Sequence, residues 1–143
     1  MKFTLNITSD REEETIIYAQ KKSQLVSDIE ELISNDTIDI IGYNETSKMK
    51  LNPSQIYAIT VEDNKIFAHL DKEKLQIKKR LYELEEILGD RFVKINQSCI
   101  VNISKIERFD ASFAGAMMIK LKNGYKDYVS RRQLRIVKER IGF

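Results

Sequence analysis

Phe92–Ile106 reads FVKINQSCIVNISKI, and the fold turns on this stretch. Apolar and polar residues alternate from Phe92 to Asn96, which suits a half-buried strand. Three short polar hydrogen-bonders in a row, Asn96-Gln97-Ser98, then break the alternation. A continuous apolar run, Cys99-Ile100-Val101, follows. A polar knuckle therefore sits between two strand-like pieces. A rigid base of this kind can hold a few side chains out to read another molecule. Val129-Ser130-Arg131-Arg132-Gln133 repeats the device with charge. Ser130 and Gln133 have the spacing of a capping box, which opens a helix. Yet Arg131 and Arg132 stand just inside that start. A helix N-terminus carries partial positive charge, and a cation there costs roughly 0.3–1 kcal/mol. Two cations placed against the fold's interest point to an anion gathered by the arginines and the helix end together.

Outward from this stretch the chain is rich in strands. Lys2–Ile7 alternates, and Thr15–Ala19 is β-branched and aromatic; both are expected strands. Leu25, Ile29, Leu32 and Ile33 form one stripe of an amphipathic helix over Ser23–Asn35. Ile38–Tyr43, Lys48–Leu51, Gln55–Val61, Ile66–Leu70 and Leu75–Ile77 follow as strands. Asn52-Pro53 and Glu62-Asp63-Asn64-Lys65 make turns. Ile77, Leu81, Leu84 and Leu88 are spaced for a helix face that ends at Gly89. The basic run Lys78-Lys79-Arg80 at its start reads as a solvated face. Glu107–Phe113 is an expected strand with a loop at Ala114-Gly115. Asn123-Gly124 signals a hairpin. A two-residue turn there sets Lys120 opposite Asp127 and Ile119 opposite Tyr128. The last helix, Arg131–Ile141, puts Leu134, Val137 and Ile141 on one flank, with Arg131, Arg135 and Lys138 on another.

The fold class is thus mostly β (α+β overall), with about ten strands and short helices. Residues 1–36 form a strand-strand-helix extension and residues 37–143 the main unit. For the extension two roles stand side by side: a packing layer, or a surface for self-association or a regulatory partner. Its roughly 36 residues are too few for a phospho-receiver domain, so control by phosphorylation is not expected.

The net charge of +2 hides an asymmetry. Residues 1–71 carry 7 Lys+Arg against 13 Asp+Glu, whereas residues 72–143 carry 17 against 9. A basic half suits a polyanionic partner. Without an apolar run of 18 residues, no membrane-spanning helix is expected. The start of the chain lacks a signal pattern, which suggests the cytoplasm. The lone Cys99 lies in an apolar run and reads as a buried structural thiol. His69, the only histidine, sits in a strand pattern and reads as structural. Neither a zinc-ligand spacing nor a phosphate-cradling glycine loop is visible. No catalytic residue, metal, cofactor or small-molecule substrate is expected, and the chain does not read as an enzyme.

The series Phe92-x-x-Ile95-x-x-Ser98-x-x-Val101-Asn102-x-x-x-Ile106, then Asn123-Gly124, then Val129-Ser130-Arg131, resembles the LytTR DNA-binding domain of bacterial transcription regulators. The resemblance covers about Thr37–Phe143. It implies a LytTR-like β fold that reads major grooves through loops on one edge. Position by position, those loops are the turn at Asn64, the knuckle Asn96-Gln97-Ser98 and the segment Arg131-Arg132. Gln can grip adenine and Arg matches guanine, while Lys, Ser and backbone N–H groups hold phosphates. The resemblance thus implies base contacts from Asn64, Gln97 and Arg132. It implies phosphate contacts from Lys65, Lys94, Asn96, Ser98, Arg131 and Arg135. Relatives often carry His or Arg where this chain has Asn64, Asn96 and Gln97, which implies a different target sequence. Double-stranded DNA is the expected partner, bound as a homodimer on repeated half-sites. Members without a receiver are often encoded beside a membrane protein that restrains them, so such a partner is a further expectation. The alternative is a protein-interaction module of the same fold whose basic edge takes an acidic protein.

Overall fold

The computed structural model describes residues 4, 10, 14–36, 40–111 and 116–142. Among them three α-helices and ten strands follow in the order α1 (Gln24–Asp36), β1 (Ile40–Tyr43), β2 (Lys48–Leu51), β3 (Ala58–Glu62), β4 (Lys65–His69), β5 (Lys74–Ile77), α2 (Leu81–Leu88), β6 (Phe92–Asn96), β7 (Cys99–Asn102), β8 (Ile106–Ala111), β9 (Met117–Leu121), β10 (Lys126–Val129) and α3 (Arg131–Ile141). The expected mostly-β architecture is therefore present.

Seven strands make one antiparallel sheet in the order β2-β1-β5-β4-β3-β7-β6, and β10-β9-β8 make a second. The large sheet is apolar on both faces. Ile59, Leu75, Phe92 and Ile100 belong to one core with Leu84 and Leu88 of α2. Their sequence neighbours Ala58, Val93, Cys99 and Val101 belong to a second core with Ile119, Leu121 and Val129 of the small sheet and Val137 of α3. Alternate side chains of one strand point to opposite faces. This explains why Cys99-Ile100-Val101 is apolar without a break: it is a strand buried on both sides.

Polar side chains close the joints. Asn102 donates to the carbonyls of Pro53 and Ile56 and accepts from the N–H and hydroxyl of Ser104. Burial pushes the Cys99 thiol well above its ordinary pKa, as befits a structural cysteine. Nε2 of His69 lies 2.8 Å from the Thr60 hydroxyl, and its ring lies 4.6 Å from that of Tyr125.

Several elements differ from expectation. Thr15–Ala19 is exposed and forms no strand; β-branched residues favour a strand only when a neighbour supplies the ladder. The strand expected over Lys2–Ile7 lies, but for Thr4, outside the described residues. So do Ile38-Asp39 and the loop Ala114-Gly115. Ile77 is the last residue of β5, and α2 starts four residues later. Gln55 closes a 3-10 turn, Pro53–Gln55, instead of opening β3. The β9–β10 hairpin sets Lys120 opposite Lys126 and Ile119 opposite Asp127, one residue off the two-residue expectation. Gly124 N–H reaches the Leu121 carbonyl and Leu121 N–H reaches the Tyr125 carbonyl. With Gly124 at φ +89, this is a three-residue loop with a glycine bulge. The shift turns Asp127 towards the large sheet.

Candidate nucleic-acid interface

One end of the large sheet collects every segment expected to touch DNA. The β6–β7 turn at Gln97-Ser98 and the β3–β4 turn at Asp63-Asn64 are tied where Val61 N–H donates to the Ser98 carbonyl at 2.8 Å. Asp63 and Asn64 both have positive φ, +50 and +61, the left-handed pair that a tight hairpin turn requires. The start of α3 is tied to the same place, where Ser130 N–H donates to the Ile95 carbonyl at 2.8 Å.

That last bond exists because β6 bulges. Lys94 faces Ile100 and Asn96 faces Cys99, so Ile95 is the extra residue. A bulge leaves its extra residue unpaired in the ladder, and here its carbonyl is free to hold α3. It also turns Asn96 inward. Asn96 is 1% exposed. Its amide nitrogen donates to Asp127 Oδ1 at 3.2 Å and to the Tyr128 carbonyl at 2.9 Å. Its carbonyl oxygen accepts from the N–H and the hydroxyl of Ser98, at 2.9 and 3.1 Å. Asp127 accepts in turn from the Tyr125 hydroxyl at 2.7 Å. One buried amide thus joins the knuckle to the strand that leads into α3.

Two of the expected phosphate holders are engaged within the protein. Asn96 is buried with its side-chain hydrogen bonds directed inward, so it is not set to hold a phosphate. Ser98, though exposed, directs its N–H and its hydroxyl at the Asn96 side-chain oxygen, and a hydroxyl bonded locally in this way closes its own turn. Gln97, Asn64, Lys65, Arg131 and Arg132 are exposed at this end, and Lys94 is half-buried. Arg135, also exposed, pairs with Glu139 at 3.1 Å; an exposed i,i+4 pair is worth only about 0.3–0.5 kcal/mol and yields readily to another anion. Ser130 caps α3 by accepting from Gln133 N–H at 3.3 Å, and the first turn holds no acidic residue. The clamp between Asn96 and Asp127 had no sequence signal, since the residues are 31 apart and meet only through the bulge and the longer hairpin loop. Among the described residues no group of His, Cys, Asp and Glu could hold a metal ion. None of their helices is long and apolar enough to cross a membrane.

A mostly antiparallel β scaffold thus carries polar and basic turns at one end of its large sheet. The comparisons with known proteins give the family. The LytTr DNA-binding domain matches residues 46–142, and the chain belongs to that family, which is a class of DNA-binding transcription regulators and not of enzymes. An "uncharacterized HTH-type transcriptional regulator" of Staphylococcus aureus strain NCTC 8325 is 31% identical, over 99% of this chain and 98% of that protein. Its counterpart in strain MSSA476 matches to the same degree. The LytTr DNA-binding domain of a protein described as a methyl-accepting/DNA response regulator from Bacillus cereus shares the fold. Its TM-score is 0.69 at 19% identity, over 74% of this chain and 99% of that one. The relatives' name invokes a helix-turn-helix, but strands separate every pair of α-helices among the residues described here.

Proposed function

We propose that the chain is a transcription regulator that lays the β3–β4 turn, the β6–β7 turn and the start of α3 into a major groove. Asn64, Gln97 and Arg132 meet base edges. Lys65, Lys94, Arg131 and Arg135 hold the flanking phosphates, and Asn96 positions the knuckle instead of touching DNA. The observation that carries this reading is the pair of backbone bonds, Val61 to Ser98 and Ser130 to Ile95, which puts three separate segments on one edge. Residues 37–143 act as the DNA-binding unit. Two copies bind repeated half-sites, as a sequence-specific regulator with a short footprint requires. Such a protein works in the cytoplasm, where the chromosome is, and a membrane-bound inhibitory partner is a compatible mode of control. Selection from a random duplex pool tests the reading. A recurrent motif present as two spaced copies is the expected result. A pool that returns no preferred sequence overturns it.

A further inference from the structure

The same sheet end carries a fourth basic segment that the three-loop reading leaves unused. β5 runs antiparallel to β4, and its ladder ends at the Ile66–Ile77 pair. Lys65 and Lys78 come next beyond that pair, so Lys78-Lys79-Arg80 leaves the sheet beside the Asp63-Asn64 turn. A depression of about 300 Å³ lies between them, lined by Asn64, Lys65, Lys78, Lys79 and Arg80. Lys78 and Arg80 are exposed, and Lys78 Nζ sits 4.4 Å above the Tyr43 ring. None of the three forms an ion pair with a carboxylate among the described residues. Arg80 occupies the N-cap of α2 with no side-chain cap, a position that favours Ser, Thr, Asp or Asn. Four cations with no acidic partner among the described residues, along one depression, are a surface for a polyanion.

Strand order says which part of the polyanion. Along this end the order is β6, β7, β3, β4, β5, with neighbours about 4.8 Å apart. The Gln97 and Asn64 turns are therefore about 10 Å apart, which fits within a major groove about 12 Å wide. The end of β5 lies about 7 Å further on, past the groove edge and over the phosphates. Resting on the function proposed above, we propose that Lys78, Lys79 and Arg80 clamp the DNA backbone that flanks the groove, a sequence-independent grip beyond the three reading loops.

The test compares the full chain with its Lys78→Ala/Lys79→Ala/Arg80→Ser variant on the selected duplex and on a duplex of unrelated sequence, across a range of salt. Serine at position 80 supplies the missing cap, so a melting temperature at or above wild type shows that the fold is intact. The salt slope should become shallower by about 2–3 on both duplexes, near 0.9 for each phosphate no longer neutralised. The ratio of the two affinities should not change. An unchanged slope overturns the clamp. A changed ratio overturns it too, because it makes the segment a base reader. Wild-type protein that binds neither duplex overturns the underlying function itself, and that failure is separate from the first two.

Discussion

Arg131 and Arg132 are neighbours with different jobs on this reading, and substitution separates them. Arg132→Ala should cost about 1–3 kcal/mol on the preferred site and blur selection at one base. Arg131→Ala should weaken all sequences alike and flatten the salt dependence. Equal behaviour of the two in a gel-shift series would undo the assignment. Asn96→Ala should cost about 1–3 kcal/mol of folding stability, because the Tyr128 carbonyl and the Ser98 donors lose a buried partner. Asn96→Asp should melt lower still at neutral pH, since it sets a carboxylate against Asp127. His69 gives the pH response. Burial lowers its pKa, with Glu62 pulling the other way and Lys74 reinforcing burial. Its stabilising effect is therefore fully present above the unfolded value near 6.5 and is lost as pH falls through the lower folded value. Glu62 is itself lowered: burial opposes its charge, but Lys74 at 2.9 Å prevails, and its contribution fades only at more acid pH. Thermal melts between pH 7.5 and 5 should show a decline that His69→Gln flattens. At this scale the sequence showed which residues are polar and close in the chain, but not which point inward. Gln97 was legible as exposed because a turn has no inside. Asn96 was not, because a bulge reverses the face that alternation assigns.

At the scale of elements, capping and alternation were legible and register was not. Ser130 opens α3 where the spacing places it, and α3 runs Arg131–Ile141 as expected. The β9–β10 hairpin slips by one residue because Asn-Gly can serve a two-residue turn or a three-residue loop, and the choice depends on contacts across the sheet. Asn123 settles it by accepting from Tyr125 N–H and donating to the Leu70 carbonyl of a distant loop. Ile77 fits a helix stripe and a strand equally well, and the β1 and β4 ladders on either side claim it for the sheet. Gly42 marks a close approach of β1 to β5. A Cβ there would lie 2.8 and 2.9 Å from Leu75 side-chain atoms and 3.0 Å from Leu51. Gly42→Ala should therefore destabilise by about 1–3 kcal/mol through overpacking, read as a lower denaturation midpoint with an unchanged slope. A neutral substitution would mean that β1 does not close over β5 as described.

For the whole molecule, charge polarity was legible from counts alone, and the fold gives it a direction. The acidic half contains the extension, while the basic half supplies Lys94, Arg131, Arg132 and Arg135 and meets Lys65 at one end. Phosphates held by Lys65, Lys94, Arg131 and Arg135, with up to three more at the segment after β5, predict a log–log salt slope of roughly −4 to −6 per protomer. The edge from β6 to β5, crossing the groove and its flanking phosphates, spans about 19 Å and so covers at most roughly six base pairs at 3.4 Å each. A footprint of half a helical turn is too short to address one operator, which is the argument for two copies on two half-sites. If so, the slope on a paired site should be near double that on a single half-site. Half-sites with centres about 10–10.5 base pairs apart place both copies on the same side of the duplex. Lengthening the spacing by half a turn puts the second copy on the opposite side and should abolish cooperative binding, and a full turn should restore the alignment. Fluorescence anisotropy on a spacing series reads this directly. A slope that does not double, together with affinity indifferent to spacing, would mean that a single copy binds and that the dimer is wrong.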